Sequence, residues 1–354
     1  MIRRASLFVL LCLSLPLSAS TVRVGVFGLF HPRELAVRPV AGGTLQVQAG
    51  GETFLLFGAQ RARLRISAGH VECRVGDRTV LASSVRVSPR DGPAPDFLVS
   101  VPGRIERRFR GSLEVTAAQR ELTSIVLMDL EVAVASAVAA ESPPGASLEA
   151  LKAQAVVTRS YYVATRGRHA NFDFCDTTHC QFLRQPPAAS HPAALAAAQT
   201  QGLVLAYRDA PLAALFSANC GGRTRTLAEL GVETDGYPYF SVECPSCRSG
   251  SPGWEAQLDL KDAQPLLAGK NLERARLEVG RKLGWGVVPG SNYEGRREGD
   301  RFVVRGRGAG HGLGLCQKGA AAMAAEGATF REILARYFPN TVLTSGGHRA
   351  EGKP

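Results

Sequence analysis

The sequence predicts an α+β fold, with a β-rich N-terminal module over 20–115 followed by a mixed α+β domain over 116–341. Two observations indicate this organisation. Before residue 116, short runs alternate apolar and polar side chains, as in half-buried strands, and glycine and proline clusters separate the runs. After it, longer runs rich in alanine and valine are typical of helices. Residues 342–354 are expected to be a disordered tail.

Alternating runs predict the strands of the N-terminal module. Val22 to Phe27, Leu45 to Gln48 and Leu64 to Ile66 alternate in this way, and turns are expected at Gly42-Gly43 and Gly92-Pro93. No catalytic residue is evident in this module.

The first helix of the second domain is predicted over Asp129 to Glu141. This run contains no helix breaker before Pro143-Pro144. Because the prolines cannot continue the helix, Glu141 is left at its C-terminal end.

A second helix follows, with Ser147 as its expected N-cap. Lys152, Arg159 and Arg166 recur every seven residues along it and therefore share one face. A solvated basic face is the ordinary interpretation of this pattern, and contact with a ligand is the alternative.

Shorter elements complete the domain. A helix is predicted over 191–200, strands over 202–207 and 211–218, and two last helices over 317–326 and 330–337.

The N-terminus has the pattern of an export signal over 1–19. Arg3 and Arg4 precede the apolar run Leu7 to Leu11, and small residues follow at 18–20. The apolar run is too short for a comfortable membrane span, and a retained N-terminal anchor is the alternative. We therefore expect an exported protein, in the periplasm or in the cell wall and extracellular space.

The formal net charge of +11 at pH 7 favours polyanionic partners. An exported protein meets wall polymers, carboxylated glycans and lipid headgroups rather than nucleic acid, and the sequence has no aromatic-flanked basic motif for RNA or DNA. No organic cofactor is indicated, because the glycine-rich run 306–314 lacks the Gly-Lys-Ser/Thr ending of a phosphate loop.

Seven cysteines remain when Cys12 in the signal is set aside, so at least one is free or bound to something other than sulfur. Cys244 and Cys247 form either a local disulfide or half of a metal site.

A dense group of potential ligands follows the second helix. His169, Cys175, His179 and Cys180 offer two imidazoles and two thiolates, the ligand set of a closed, structural zinc site. A Cys175–Cys180 disulfide with two bystander histidines accounts for the same residues, because export favours disulfides.

Glu141 is the candidate catalytic acid. A carboxyl at a helix C-terminus meets the negative end of the helix dipole, and apolar neighbours remove water, so both effects raise its pKa. Cleavage of a glycosidic bond requires a proton donor, and a carboxylic acid with a raised pKa can serve as one. The alternative is an ordinary solvated residue at a helix end.

Two glycine-rich segments are further candidates. The glycines around His311 either let the backbone approach a polymeric ligand, with His311 as a polar contact or auxiliary acid–base, or form a tight turn with a structural histidine. Cys220 ends an apolar strand just before Gly221-Gly222, but no local histidine supports a nucleophilic role for it.

Several separated motifs carry a family resemblance. They are Glu141, the helix from Glu149 to Tyr161, Asp176 to Gln181, Ser217 to Thr224, Tyr237 to Tyr239, Gly308 to Ala320, and Met323 to Pro339. In this order they resemble the stage II sporulation protein D / amidase-enhancer LytB family, over about 112–341. The chain departs from the family at Ala309, where many relatives carry an aromatic residue, and at Cys316, where serine is usual.

The resemblance implies a lytic transglycosylase that acts on peptidoglycan strands already stripped of their stem peptides by an amidase. It makes Glu141 the catalytic residue, first as acid and then as base, and implies a structural zinc ion on the His/Cys group. Glycan contacts are expected from Lys152, Gln154, Arg159, Ser217, Cys220, Gly221, Gly222, Thr224, Gly310, His311, Gly312 and Gln317. The alternative is a non-catalytic glycan-binding protein that enhances an N-acetylmuramoyl-L-alanine amidase.

Overall fold

The structure is a computed structural model that describes residues 21–90, 96–118, 120–251, 253–269 and 271–345. The predicted export signal at 1–19 lies outside these residues, as do residues 346–354 of the predicted tail. Within the described ranges, each helix is too short or too polar to cross a bilayer. Both strands and helices are abundant and strands dominate the N-terminal region, so the predicted α+β class is confirmed.

Two sheets, of seven and six strands, build the N-terminal module. Their strands are β1 (Thr21–Val26), β2 (Glu34–Pro39), β3 (Thr44–Ala49), β4 (Glu52–Phe57), β5 (Ala62–Ser67), β6 (His70–Val75), β7 (Arg78–Ala82), β8 (Ser84–Pro89), β9 (Asp96–Val101), β10 (Ile105–Arg110), β11 (Ser112–Ala118), β12 (Glu121–Asp129) and β13 (Phe174–Cys175). The strand orders are β13-β1-β12-β11-β8-β3-β4 and β10-β9-β2-β5-β6-β7. Neighbouring strands are antiparallel, except that β13 runs parallel to β1.

The two sheets share one apolar core because each strand buries alternate side chains. Leu45 and Val47 of one sheet, and Ala62 and Leu64 of the other, are fully buried in the same cluster. The intervening residues face outward, as the alternating sequence predicted.

The predicted domain boundary at 115/116 is wrong, because it falls inside β11. Strand β11 pairs with β8, and β12 pairs with β1 along its length, so both belong to the N-terminal sheets. The shift to an alanine- and valine-rich composition marks the start of α1 after Asp129. The strands of the N-terminal sheets continue up to that point, through β11 and β12.

The elements beyond Asp129 are shorter. The helices are α1 (Leu130–Glu141), α2 (Leu148–Ala164), α3 (Pro192–Gln199), α4 (Pro245–Gly250), α5 (Gln264–Leu267), α6 (Leu272–Leu283), α7 (Gln317–Ala325) and α8 (Phe330–Tyr337). The strands are β14 (Leu203–Tyr207), β15 (Ala210–Pro211), β16 (Phe216–Ser217), β17 (Gly253–Asp259), β18 (Tyr293–Glu298), β19 (Arg301–Arg307), β20 (Leu315–Cys316) and β21 (Val342–Ser345). They form three small sheets, β15-β14-β21, β16-β20 and β17-β19-β18.

Two caps define the helices nearest the candidate acid. The Asp129 carboxylate accepts the N–H groups of Glu131 and Val132, which begins α1. The Ser147 hydroxyl accepts the N–H of Ala150, which begins α2. Since α1 ends at Glu141 before the prolines, both predicted helix starts and the predicted stop are confirmed.

Helix α2 is the central element of the second domain. It packs against α1, α3, α7, α8 and β14, so most of its side chains are buried. The predicted solvated basic face is therefore wrong at Arg159, whose side chain is 1% exposed. A helix surrounded by other elements has no solvent face for its middle turns.

Arg159 is fully paired within the protein. Its Nε and Nη2 atoms lie 2.8 and 2.5 Å from the two carboxylate oxygens of Glu131 on α1. Its remaining donors meet the carbonyl oxygens of Leu203 and Ala197, both at 3.1 Å. This bidentate pair joins α1, α2 and the segment from α3 to β14.

The start of the predicted disordered tail is ordered. Val342–Ser345 forms β21, which pairs antiparallel with β14, for example Val204 opposite Thr344. A tail was expected because the sequence after Thr341 lacks a strong apolar pattern. The backbone pairing with β14 is what orders these four residues.

Candidate active site

Glu141 is the last residue of α1 and is half-buried. Its Oε1 atom accepts the backbone N–H of Phe182 at 2.8 Å. Burial raises the pKa of the Glu141 carboxyl above its ordinary value of 4.5, and the hydrogen bond from Phe182 opposes part of that shift. The direction agrees with the sequence prediction, and the dominant cause is removal of water.

Two glutamines from other segments lie beside Glu141. The Nε2 atom of Gln317, at the start of α7, donates to the Glu141 carbonyl oxygen at 2.9 Å. The same Nε2 atom is 3.5 Å from Oε1 of Gln154 on α2. Gln154 is buried, and its own Nε2 has no hydrogen-bond partner among the described residues. The structure thus joins three predicted site residues that are far apart in sequence.

An ion pair between Arg107 and Asp176 lines the same cavity as Phe182. Arg107 of β10 places Nη1 2.6 Å from a carboxylate oxygen of Asp176, which is buried and also accepts the N–H of Phe27. Burial raises the pKa of Asp176, whereas the Arg107 charge lowers it. These residues and Phe182 line a cavity of about 130 Å³.

Arg107 was missed by the sequence analysis, which found no functional residue in the N-terminal module. Arg107 lies in the charged run Glu106-Arg107-Arg108, and strand arginines in such a run are ordinarily solvated, so the sequence did not single it out. Only the contact between β10 and the loop after β13 brings Arg107 to Asp176.

The His/Cys group converges on one point. His169 Nε2 is 3.3 Å from Cys180 Sγ, and His179 Nδ1 is 3.7–3.8 Å from the sulfurs of Cys180 and Cys175. All four potential ligand atoms lie within 4.8 Å of one another. Both cysteines are unpaired in the structure. The donor set and its convergence fit a tetrahedral His₂Cys₂ zinc site.

This group is part of the same loop that serves Glu141. Cys175 ends β13, which pairs with β1, and Cys180 precedes by two residues the Phe182 N–H that binds the carboxyl. A metal ion or other contact that holds the His/Cys group in place would therefore also hold the Phe182 N–H against the Glu141 carboxyl.

Three of the predicted glycan contacts are corrected by burial. Arg159 is paired with Glu131, and Cys220 is 1% exposed. Thr224, also 1% exposed, uses its hydroxyl to donate to Phe240 and to accept the N–H of Val242. Side chains that are covered and saturated by the protein do not reach a glycan.

Lys152 is held within the protein surface. Its Nζ atom lies 2.6 Å from Glu149, and its side chain is 16% exposed. The ammonium also lies over the ring of Phe330, 5.9 Å from its centroid.

The glycine-rich run packs against 215–225. A Cβ at Gly308 or Gly314 would collide with the carbonyl oxygen of Asn219 or Leu215, and Gly314 has φ of +66°. At these two positions glycine therefore permits close approach of the protein's own backbone. Gly310 faces Ser217, and Gly312 faces the side chain of Arg225.

His311 is a turn residue. Its Nδ1 accepts the N–H of Leu313 at 3.0 Å, and burial lowers the pKa of its imidazole below 6.5. The lowered pKa and the acceptor role of Nδ1 both favour the neutral imidazole, which supports the structural interpretation over a cationic contact. The remaining predicted contacts at Gly221 and Gly222 are buried beside Cys220.

Comparisons with known proteins find one family model and several relatives that are similar to this chain. Residues 118–207 match the family model SpoIID, described as stage II sporulation protein. An uncharacterized protein of Brachyspira hyodysenteriae is 27% identical over 262 residues, 65% of this chain and 70% of that protein. Stage II sporulation protein D of Bacillus subtilis is 28% identical over 268 residues, 62% of this chain and 76% of that protein. The amidase enhancer of the same organism is 25% identical over 284 residues, 58% of this chain and 39% of that protein.

Proposed function

This chain belongs to the stage II sporulation protein D / amidase-enhancer LytB family, and from that premise we propose that it is an exported peptidoglycan lytic transglycosylase. Its substrate is a glycan strand free of stem peptides, cleaved between N-acetylmuramic acid and N-acetylglucosamine. The observation that carries the proposal is the half-buried Glu141, with a raised pKa and a fixed N–H donor from Phe182.

In the proposed reaction, Glu141 moves two protons. Its protonated carboxyl gives a proton to the bridging oxygen as the bond from that oxygen to C1 of the muramic residue breaks. The resulting carboxylate takes the proton of the muramic C6 hydroxyl, whose oxygen bonds to C1 and closes the 1,6-anhydro ring. Glu141 ends protonated again, so one carboxyl suffices because the nucleophile belongs to the substrate.

The surroundings of Glu141 suit both halves of this cycle. Burial favours the protonated form needed for the first transfer. The Phe182 N–H orients the carboxyl and stabilises its anion in the second. Gln317 presents its amide group beside the acid, and we assign it to the glycan's hydroxyl or acetamido groups, whereas the buried Gln154 holds the Gln317 amide in position.

The other predicted glycan contacts lie farther from Glu141, and fewer observations support them. Lys152 and Gly310 stay in the proposal as parts of a glycan groove, whereas the buried Ser217 and Gly312 are set aside for the same reason as Gly221 and Gly222. The excess positive charge suits the lactyl carboxylate that each stripped disaccharide exposes. An amidase that strips the strands is the expected partner.

The test is product analysis of amidase-stripped glycan strands incubated with the mature protein. Mass spectrometry should find 1,6-anhydro-muramic ends, and strands that keep their stem peptides should yield far fewer. Stripped strands that bind the protein and stay uncut would overturn the proposal. The likeness to an amidase enhancer favours one second candidate, a non-catalytic glycan-binding partner, and stimulation of an amidase without anhydro products would support it.

The pH dependence of the reaction should reflect Glu141. Because the acid must start protonated and its pKa is raised above 4.5, the protonated fraction persists to higher pH than for an ordinary glutamate. The rate should then decline as pH rises through the raised pKa. We expect kcat/KM, measured as the rate of anhydro-end formation on dilute strands, to have its falling limb above pH 4.5. A falling limb at or below that pH would contradict the assignment.

We also propose a zinc ion on His169, Cys175, His179 and Cys180. Four protein ligands leave no open position, so the metal would stabilise the loop without taking part in the reaction. Metal analysis of the purified protein should find that His179→Asn loses one zinc per chain. The exposed His70, in the N-terminal module, provides the control, and His70→Asn should keep the full metal content. Equal zinc in the two variants would refute the site.

A further inference from the structure

Four cysteines that the catalytic site does not use meet in the second domain. Cys220 follows β16, Cys316 ends the paired strand β20, and Cys244 and Cys247 flank the first turn of α4. Three segments separated by up to 96 residues therefore supply them. Each of the four is at most 2% exposed.

Their sulfur atoms are arranged as a compact group. All four lie within 4.8 Å of one another, and the sulfurs of Cys247 and Cys316 are 3.5 Å apart. Four sulfurs placed tetrahedrally around zinc, at a Zn–S distance of about 2.3 Å, would be about 3.8 Å apart. All four cysteines are unpaired in the structure.

The surroundings suit thiolates. The backbone N–H groups of Cys220 and Gly319 both point at Cys316 Sγ, at 3.4 Å. The hydroxyl of Tyr337 is 3.5 Å from Cys244 Sγ. Such donors stabilise sulfur that carries negative charge, and they commonly orient metal ligands. A side chain at Gly319 would collide with Tyr337 and Cys244, so the packing leaves this group little freedom.

We propose that Cys220, Cys244, Cys247 and Cys316 bind a zinc ion in a closed tetrathiolate site. With four protein ligands its role is structural. It joins α4 to the β16–β20 pair and to α7, whose first residue is the Gln317 that reaches Glu141. The site is separate from the His₂Cys₂ group and does not depend on the proposed enzymatic activity.

This assignment also resolves the odd number of cysteines. Two belong to the His/Cys group and four to the tetrathiolate site, which leaves Cys73 alone in the N-terminal core. The rival arrangement, two disulfides among the same four cysteines, is the outcome that an oxidising compartment would favour.

The experiment counts zinc per chain and measures the intact mass of the denatured protein. A chain carrying His179→Asn and Cys180→Ser, which disables the His₂Cys₂ group, should still hold one zinc. X-ray absorption at the zinc edge of that chain should show four sulfur ligands at about 2.3 Å. Adding Cys247→Ser should remove this zinc, whereas adding Cys73→Ala, the buried control outside both groups, should not.

Three results would overturn the site. The first is that the chain with only the His₂Cys₂ group disabled holds no zinc, and the second is that it holds iron instead of zinc. The third is an intact mass lower by four hydrogens, which would show two disulfides. The chain with His179→Asn and Cys180→Ser keeps all four cysteines of the proposed site. Its zinc content and X-ray absorption spectrum therefore test the site even if the Cys247→Ser variant does not fold. Absence of transglycosylase activity, in turn, would leave the zinc count unaffected.

Discussion

The Glu141→Gln variant should form 1,6-anhydro ends about 10²–10⁴-fold more slowly than the wild type. Glutamine keeps the size of the side chain, and its Oε1 atom can still accept the Phe182 N–H, so the local fold should persist. It has no proton to give to the glycosidic oxygen and cannot take one from the C6 hydroxyl. The measurement is the initial rate of anhydro-end formation on stripped strands.

Glu149→Gln is the matched control for this substitution. Glu149 also accepts a backbone N–H, that of Phe330 at 2.7 Å, but its pKa is lowered, first by its hydrogen bond with Lys152. A carboxylate that stays ionised cannot serve as the acid, so this variant should react at close to the wild-type rate. Equal rates for Glu141→Gln and the wild type would exclude Glu141 from the chemistry.

Arg159→Met should lower the free energy of unfolding by about 3 kcal/mol, because it leaves the Glu131 carboxylate, whose side chain is 22% exposed, without its partner. Within the described residues, Glu131 then keeps the N–H of Gly202 at 3.3 Å and the helix N-terminus nearby, and the carbonyl groups of Leu203 and Ala197 each lose one donor. Urea unfolding followed by circular dichroism measures the loss.

Two companion variants sharpen this test. Arg166, on the same predicted face, is exposed, and among the residues that the structure describes it donates to the carbonyl of Thr21 alone, so Arg166→Met should change stability by at most about 0.5 kcal/mol. Adding Glu131→Met to Arg159→Met should recover part of the loss, since replacing both ions avoids an unpaired charge. If Arg159→Met and Arg166→Met have the same free energy of unfolding, the Arg159–Glu131 pair contributes little to the fold.

Features determined by neighbouring residues were predictable. The cap at Ser147 and the stop at Pro143 are local hydrogen-bonding and steric effects, so the start of α2 and the end of α1 could be predicted from the sequence. The strands before residue 90 follow from alternation, and the His/Cys group falls within twelve residues of sequence. The raised pKa of Glu141 was anticipated from its position at a helix end among apolar residues.

The corrections concern residues whose surroundings come from distant segments. Arg159 recurs with Lys152 and Arg166 at a seven-residue spacing typical of an exposed helix face. In the structure α1 and α3 cover its side chain and supply its hydrogen-bond partners. Val342–Ser345 becomes a strand only because β14 offers an unpaired edge. Arg107 lies in a module without other functional signals, and it reaches Asp176 across the interface between the two domains.

The sequence by itself determined the fold class, the helix ends around Glu141, the local His/Cys group and the family resemblance, since each depends on contacts within a few residues or on motif order. Tertiary structure alone decided which side chains are buried and which distant cysteine side chains come close enough to bind one metal ion. The clearest case is the tetrathiolate group: Cys316 was noted as a departure from the usual serine, and Cys220 as a glycan contact or an unsupported nucleophile, and neither was connected with Cys244 and Cys247. Their sulfurs come together because β16 pairs with β20, and strand pairing between segments nearly a hundred residues apart has no local signature.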